Sequence, residues 1–333
     1  MNLGDLVYYD RNMSKIDWSQ EKFCHTGNSP EMLKKNIPSD KKVKLFLTDP
    51  PYNIGHDYGK VNDRRTKDEY FELITEVLRE SYKVADKSAN FFLIHYPKDI
   101  AEMWPILTNE TGWKFHQWIT WTYPSNIGMS SKSWTTASRA IIWLQKSEDG
   151  EPTFYPNRIV RPYRNPWDNR VGELIKSGRK GCSLYDWWEI NLVKNVNSEK
   201  SNYSNQIPEI LLKRIIRSTT DVGDLVVDPF SGTYSTMKAA LSIGRLGWGC
   251  DLNPDTEKYW PDKSHLNEEF IEKDFDFDIP LSFDYIRAGI SEKQFREIMI
   301  NGIKFLKNRG NESASNKLMN ELLRMDWIRE DSH

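Results

Sequence analysis

Cysteine is scarce. Cys24, Cys182 and Cys250 are the only three in 333 residues, an odd number without CxxC spacing, so neither a disulfide framework nor a structural zinc site is expected. Histidine numbers six, with no HExxH pattern, and no metal is expected. No apolar run approaches the ~18 residues of a membrane span, and the Asn- and Asp-containing N-terminus lacks the apolar core of a secretory signal. The expected setting is the cytoplasm, with no membrane partner. Neither sign of charge prevails: 46 Lys+Arg against 48 Asp+Glu leave −2, which excludes a globally basic nucleic-acid coat. Any contact with a polyanion must come from local patches. Internal repeats and low-complexity tracts are also missing. Aromatic residues are plentiful, at 13% with 13 Trp, which suits ring stacking as well as a core.

Short apolar runs recur along the chain: Val43–Leu47, Phe91–Ile94, Trp118–Trp121, Ala140–Leu144 and Leu225–Val227. Their length and few polar breaks predict strands buried on both faces. Between them, Phe71, Ile74, Leu78 and Tyr82 fall at helical spacing within Lys67–Ala85, as do Leu211, Leu212, Ile215, Ile216 and Thr219 within Pro208–Thr219. Strand and helix in alternation predict an α/β fold with a mainly parallel sheet and right-handed crossovers. From about Gly150 to Gln206 the alternation fails. Farther on, a Ser291/Gln294 capping box and Phe295, Ile298, Met299, Gly302 and Leu306 predict a helix.

Two strand ends carry chemistry. In Leu45-Phe46-Leu47-Thr48-Asp49-Pro50-Pro51-Tyr52-Asn53-Ile54-Gly55 a buried strand runs into an acid, two prolines and an aromatic ring. Carboxyl ends of strands in open parallel sheets are where ligands bind. Pro50 and Pro51 stiffen the turn and offer carbonyls without N–H donors. Asp49 beside them makes a cluster of acceptors, and Tyr52 adds a ring, which suits a planar group bearing NH2. An Asp-Pro-Pro-Tyr tetrapeptide is also an ordinary turn composition; the preceding strand favours the ligand site.

The second end is Leu225-Val226-Val227-Asp228-Pro229-Phe230-Ser231-Gly232-Thr233-Tyr234-Ser235-Thr236, which leads through a helix-like stretch to Gly249-Cys250-Asp251-Leu252-Asn253. Strand, glycine turn, helix and a second strand ending in an acid make a βαβ nucleoside site, in which Asp251 can hold ribose hydroxyls. Asp251 follows Gly232 by 19 positions, near the usual ~20.

Together the two segments resemble the circularly permuted β class of amino-group DNA methyltransferases that use S-adenosylmethionine. In that class a catalytic Asp-Pro-Pro-Tyr segment precedes a cofactor-binding Asp-Pro-Phe-x-Gly segment, with a target-recognition region between. The order Asp49, irregular segment, Asp228 matches, and the likeness covers roughly Phe46 to Asn253. It implies a Rossmann-like, twisted methyltransferase sheet flanked by helices, divided as a catalytic part (1–149), a recognition insert (150–206), a cofactor-binding part (207–280) and a helical extension (281–333). It also implies a catalytic set of Asp49, Pro50, Pro51 and Tyr52. The cofactor would be held by Asp228, Pro229, Phe230, Ser231, Gly232, Thr233, Ser235, Thr236, Asp251 and Asn253, with Gln206 and Pro208 from the segment upstream. Two positions depart from the pattern. Ile207 stands where lysine is usual, and Tyr234 replaces a second glycine, so the backbone there must avoid positive φ or bear strain.

The implied reaction moves a methyl group to N6 of an adenine flipped out of duplex DNA. Asp at the first motif position goes with adenine, and Ser more often with cytosine N4. Between Arg158 and Lys180, Arg158, Arg161, Arg164, Arg170, Arg179 and Lys180 outnumber the acids and alternate with Tyr163 and Trp167, a patch suited to phosphates and base edges. Lys132, in the polar stretch from Ser125 to Trp134, is expected to make a second DNA contact, while Trp187 and Trp188 read as core. Resemblance further implies a cognate restriction endonuclease and a homodimer. The competing readings are an N4-cytosine enzyme of the same fold, an RNA or protein-amide methyltransferase, and a non-catalytic nucleic-acid-binding relative, the last favoured by Ile207 and Tyr234.

Overall fold

The computed structural model describes residues 23–37, 42–53, 64–124, 131–146, 151–161, 163, 168–177, 179, 181–193, 206–267, 270, 272, 276–277, 292–308, 310, 312, 315–316 and 318–319. The strands are β1 (Cys24–Thr26), β2 (Val43–Thr48), β3 (Ala85–His95), β4 (Lys114–Thr122), β5 (Ser138–Gln145), β6 (Ile159–Val160), β7 (Trp187–Glu189), β8 (Leu225–Asp228), β9 (Leu246–Asp251) and β10 (Asp276–Phe277). The α-helices are α1 (Ser29–Asn36), α2 (Lys67–Val84), α3 (Pro97–Asn109), α4 (Asn169–Lys176), α5 (Glu209–Thr219), α6 (Ser235–Ser242) and α7 (Glu292–Asn308). All five apolar runs lie in strands, and both amphipathic segments form helices.

The chain divides into two compact units, one holding residues up to Tyr155 and Tyr185–Glu272, the other Pro156–Leu184 and residues from Lys273 onward. Two of the three divisions fall inside the irregular 150–206 span, and the third follows Glu272. In the first unit the described strands form one eight-stranded sheet in the order β1-β9-β8-β2-β3-β5-β4-β7. Pairing is parallel from β1 to β3, antiparallel on both sides of β5, and parallel again between β4 and β7. From β2 the chain crosses by α2 to β3 on one side; from β8 it crosses by α6 to β9 on the other. The carboxyl ends of β2 and β8 therefore flank the point where the winding reverses, which is where open α/β sheets leave a ligand crevice.

Alternation along the strands divides the core into two layers. Phe46, Phe91, Leu93, Ile142 and Val227 pack with Leu33 of α1, Ile74 and Leu78 of α2, and Met103 and Leu107 of α3. Leu47, Phe92, Ile94, Ile141 and Val226 point the other way, to Leu211, Leu212, Ile215 and Ile216 of α5. Each helix buries one stripe, and packing of that stripe is the chief support of a short helix. The entry of α2 is fixed by Thr66 and Glu69, which form a capping box the sequence reading passed over.

Two expectations are corrected. The run Trp118–Trp121 is not buried on both faces: Ile119 and Trp121 are buried, whereas Trp118 and Thr120 on the opposite face are only half-buried. Trp187 is not core either. It is 47% exposed and stacks on Tyr185 at 5.7 Å, whereas Trp188, one position along and on the opposite face, is buried.

In the second unit β6 pairs with β10 in parallel, and Arg161 bridges Cys182. Met299 and Ile303 of α7 are buried, as is Leu318. Ser291 and the side chains of Gln294, Phe295 and Ile298 lie outside the described residues. Among the described residues no helix is long and apolar enough to cross a membrane.

Candidate active site

β2 delivers Thr48 and Asp49 to the crevice from a strand whose side chains are almost wholly buried. The chain then turns through Pro50 and Pro51 to Tyr52, and Asn53 takes a left-handed conformation at φ 55°, one that Asn tolerates better than most residues. The Asn53 amide fastens the turn: its Nδ2 donates to the Arg65 carbonyl at 3.1 Å, and its Oδ1 accepts from the Arg65 amide at 2.7 Å. Tyr52 is buried rather than standing at the rim. Its hydroxyl donates to Asp49 Oδ1, and its ring meets His95 edge-on at 5.1 Å and Tyr96 at 4.7 Å. His95 is itself held, with Nε2 paired to the Tyr70 hydroxyl at 2.8 Å and Nδ1 accepting from the Tyr96 amide at 2.8 Å.

Asp49 is only 13% exposed, and Arg139 Nη1 stands 3.8 Å from its Oδ2. Burial pushes the Asp49 carboxyl up; the Arg139 charge, the Tyr52 hydroxyl and His95 pull it back. Burial and the Asp49 charge together raise Tyr52 well above the ordinary phenol range, so it stays a donor. Tyr52 and Arg139 do not exhaust Asp49, since a carboxylate offers about four lone-pair sites.

β8 delivers Asp228 beside this pair. Thr48 Oγ1 donates to Asp228 Oδ1 at 2.7 Å, and the Phe230 amide donates to the same oxygen at 3.1 Å. Burial lifts Asp228 to about 6 against the pull of Thr236, Thr48 and the Phe230 amide, and the Asp49 charge adds to the lift. In the turn that follows, Gly232 adopts φ 49° and its amide donates to Asp251 Oδ2 at 2.9 Å. The Asn253 amide donates to Asp251 Oδ1 at 2.8 Å. Asp251 thus ties the glycine turn to the end of β9, and burial pushes its carboxyl up despite both donors.

Tyr234 takes the strained alternative, with φ 58° and ψ 28°. Its ring is buried completely, and its hydroxyl donates to the His25 carbonyl at 3.2 Å. Ile207 is buried against the α5 layer of the core.

One cavity of about 1110 Å³, including its open mouth, joins the two strand ends. Asp49, Pro50, Pro51 and Tyr52 line it together with Asp228, Phe230, Ser231, Gly232, Thr233, Ser235, Thr236, Asp251, Asn253 and Gln206. Pro229 and Pro208 stand behind the wall. The Pro229 carbonyl accepts from Ser29 Oγ at 2.6 Å, and Pro208 precedes α5 as its N-cap. Sequence reasoning missed Asn28, Ser29 and Arg65, which also line the cavity, and Arg139 behind Asp49. Of the basic residues, Lys132 lies in the first unit, and Arg158, Arg161, Arg170 and Arg179 in the second. Arg170 pairs with Asp168 at 3.0 Å, while Arg161 Nε donates to the Ser183 carbonyl at 3.3 Å. Arg164, Lys180 and residues 125–130 lie outside the described set.

The lining suits S-adenosylmethionine. Asp49, Asp228 and Asp251 against Arg65 make the wall acidic, as a sulfonium and an ammonium require, and Leu47, Leu212, Ile207 and Phe230 offer apolar surface to an adenine ring.

Residues 43–260 match the model of a DNA methylase family, the N6/N4 methylases. The type II methyltransferase M.HpaI of Haemophilus parainfluenzae is 29% identical over 290 residues, covering 86% of this chain and 87% of that protein. Among solved structures, the M1.HpyAVI complex with S-adenosylmethionine superposes with a TM-score of 0.53 at 18% identity, over 74% of this chain and 98% of that one. The PvuII cytosine-N4-specific DNA methyltransferase also scores 0.53, at 16% identity, over 74% and 88%. Both show the Rossmann-like methyltransferase fold. S-adenosylmethionine is the methyl donor of the family. A match over 43–260 that takes in both strand ends places this chain in the N6/N4 DNA methylase family.

Proposed function

We propose that this chain is a site-specific, adenine-N6 DNA methyltransferase of a restriction–modification system, acting on a base flipped out of duplex DNA. The observation that carries the reading is the junction of β2 and β8: Asp49 and Asp228 open onto one cavity, and Thr48 links the two strand ends. An amino-group acceptor site and a cofactor site are thereby held side by side, and positioning is most of what such a transfer needs.

An exocyclic amino nitrogen is a weak nucleophile because its lone pair is delocalised into the ring. Asp49 accepts one of its hydrogens and the Pro50 carbonyl the other, which favours a pyramidal nitrogen with its lone pair turned toward the cofactor. S-adenosylmethionine, when bound, supplies a sulfonium methyl carbon that takes this pair as the C–S bond breaks and sulfur keeps the bonding electrons. Asp49 then receives the surplus proton of the methylated nitrogen. Tyr52 holds Asp49 in register, and Pro51 fixes the turn. On the cofactor side, Asp251 and Asn253 would hold the ribose edge, Phe230 and Gln206 would flank the adenine, and the stretch Asp228, Ser231, Gly232, Thr233, Ser235 and Thr236 would cradle the rest; Pro229 and Pro208 set the backbone. Arg158, Arg161, Arg164, Arg170, Arg179, Lys180 and Lys132 contact the duplex. Asp at position 49 supports adenine, and the type II methyltransferase relative supports a restriction–modification setting with a cognate endonuclease.

Expression in a methylation-free bacterial host, with single-molecule sequencing of the genome and mass spectrometry of its nucleosides, tests this. N6-methyladenine at one short motif is the expected result. N4-methylcytosine would overturn the base assignment, and unmodified DNA from folded, S-adenosylmethionine-binding protein would overturn the DNA reaction.

A further inference from the structure

Arg139 is a buried charge at the active site that the motifs leave without a task. It sits at the start of β5, which runs antiparallel to β3, so that Ala140 faces His95 across the sheet. That register brings Arg139 behind the catalytic turn rather than into the cavity. The side chain is buried, 4% exposed, in a cage of four aromatic rings. Its guanidinium carbon lies 4.6 Å from the Tyr52 ring centre, 5.4 Å from Tyr96, 5.4 Å from Trp121 and 5.8 Å from Tyr123. Its Nη1 lies 3.8 Å from Asp49 Oδ2, and its Nε has no hydrogen-bond partner among the described residues.

A buried cation is costly unless it is paired. Among the described residues the only carboxylate in reach is Asp49, beyond ideal hydrogen-bond length, and the remaining compensation comes from the Tyr123 hydroxyl and the ring faces. Guanidinium suits such a cage because it is planar and weakly hydrated, and its faces stack on aromatic rings. A purely structural cation would gain more from direct hydrogen bonds, and the unmatched Nε shows that this one is not placed to maximise them.

We propose that Arg139 is a positioning residue for methyl transfer: its charge keeps Asp49 a carboxylate acceptor, and its plane clamps the Tyr52 ring against Tyr96. The inference rests on the reading that Asp49 accepts the hydrogens of the target amino group. Two demands conflict at Asp49. It must be buried, so that water does not compete for the substrate, and it must be ionised, which burial opposes. Arg139 meets both, since it supplies positive charge from behind without occupying the acceptor face. The other titratable groups facing Asp49 are Tyr52, His95 and, across the crevice, Asp228; those facing Arg139 are Tyr52, Tyr96 and Tyr123. None of these carries a permanent positive charge, and among the described residues Arg139 is the cation that acts most strongly on Asp49.

Arg139→Gln removes the charge and keeps much of the volume; Arg139→Lys keeps the charge and removes the plane. Protein labelled with 13C-aspartate, with the Asp49 carboxyl signal assigned by its loss in Asp49→Asn, gives the titration midpoint of Asp49 directly and without catalysis. The midpoint in Arg139→Gln is expected to rise by at least about one unit, a tenfold change in proton affinity, and in Arg139→Lys to stay near the wild-type value. Because Asp49 acts ionised, the acid limb of the kcat profile moves to higher pH in Arg139→Gln. Arg139→Lys keeps its acid limb but loses roughly tenfold or more in kcat at an unchanged KM for S-adenosylmethionine, as the Tyr52 clamp is lost. An unmoved midpoint in folded Arg139→Gln, or wild-type kcat in Arg139→Lys, would overturn the proposal. If Arg139→Gln fails to fold, as judged by loss of S-adenosylmethionine binding in calorimetry, Arg139→Lys decides by its kcat. Absence of methyl transfer by the wild type would sink the assigned function alone, because the NMR midpoint still reads the Arg139–Asp49 coupling.

Discussion

Thr48 Oγ1 and Asp228 Oδ1 stand 2.7 Å apart, buried at the ends of two adjacent parallel strands whose sequence positions differ by 180. The bond spans the seam between the half of the site proposed to hold the acceptor and the half proposed to hold the cofactor. It also bears on stability. A carboxyl lifted from 3.8 to about 6 in the fold favours folding while it is protonated. That contribution is complete below pH ~4 and is lost as pH rises through about 6, to the extent of about 3 kcal/mol.

Asp228→Asn is therefore expected to stabilise the cofactor-free protein at neutral pH by up to about 3 kcal/mol. Its Oδ1 still accepts from Thr48 and from the Phe230 amide. Thermal unfolding followed against pH checks this: the decline of the wild type between pH ~4 and ~6 should flatten in the variant. An unchanged slope would mean that Asp228 is not the group responsible. Calorimetry on the same variant should show weaker S-adenosylmethionine binding, the functional cost of the gain.

Asp49→Ala should lower methyl transfer by about 10²–10⁴-fold, the range for loss of a group that handles the proton and the developing charge. Its affinity for S-adenosylmethionine should fall far less than its turnover, because the residues proposed for the cofactor lie at the ends of β8 and β9, on α6 and before α5, and Asp228 and Asp251 keep the wall acidic. Incorporation of labelled methyl into DNA and calorimetry separate the two effects. Wild-type turnover would remove Asp49 from the mechanism.

The parts of this site that were legible in the sequence are those carried by contiguous residues. Leu45-Phe46-Leu47 predicts a buried strand by itself, and Asp49 to Tyr52 follow it directly, so strand, turn and acid come as one string. The same holds from Leu225 to Thr236. What could not be read is what the fold assembles from distant segments. Arg139 looks like an ordinary charge at a strand start; its burial depends on Tyr52, Tyr96, Trp121 and Tyr123, which come from three other places in the chain. Asn28 and Ser29 reach the cavity only because the three-residue β1 joins β9, and a strand so short leaves no periodic signal. Trp187 escaped because the adjacent pair Trp187-Trp188 reads as uniformly apolar, although neighbours on a strand face opposite ways.

Tyr234 sets a small strain against a large packing term. Its left-handed backbone, φ 58°, costs roughly 1–2 kcal/mol for a residue with a Cβ. The fully buried ring lies 3.1 Å from where a Cβ on Gly249 would stand and meets Trp260 at 6.4 Å, and deleting a buried aromatic costs roughly 3–5 kcal/mol. Tyr234→Gly relieves the first term and incurs the second, so it should destabilise by about 1–4 kcal/mol in denaturant unfolding. Tyr234→Phe gives up only the bond to the His25 carbonyl and should cost about 0.5–1.5 kcal/mol. A stabilised Tyr234→Gly would show that strain outweighs packing at this turn.

Gly249 admits no side chain, and the reason is local to the cofactor turn. A Cβ there would stand 2.2 Å from Ser231 Oγ and 2.8 Å from Met237 Sδ. Met237 is a flexible side chain that can yield, whereas Ser231 Oγ is fixed by its bond to the Asp228 carbonyl at 2.7 Å. Gly249→Ala should therefore displace the Ser231-Gly232 turn and lower S-adenosylmethionine affinity, with an overpacking cost of about 1–3 kcal/mol. Calorimetry and thermal unfolding should move together. Removing the obstruction tests the cause: Gly249→Ala combined with Ser231→Gly should regain part of the lost stability, and a double variant no more stable than Gly249→Ala would place the obstruction elsewhere.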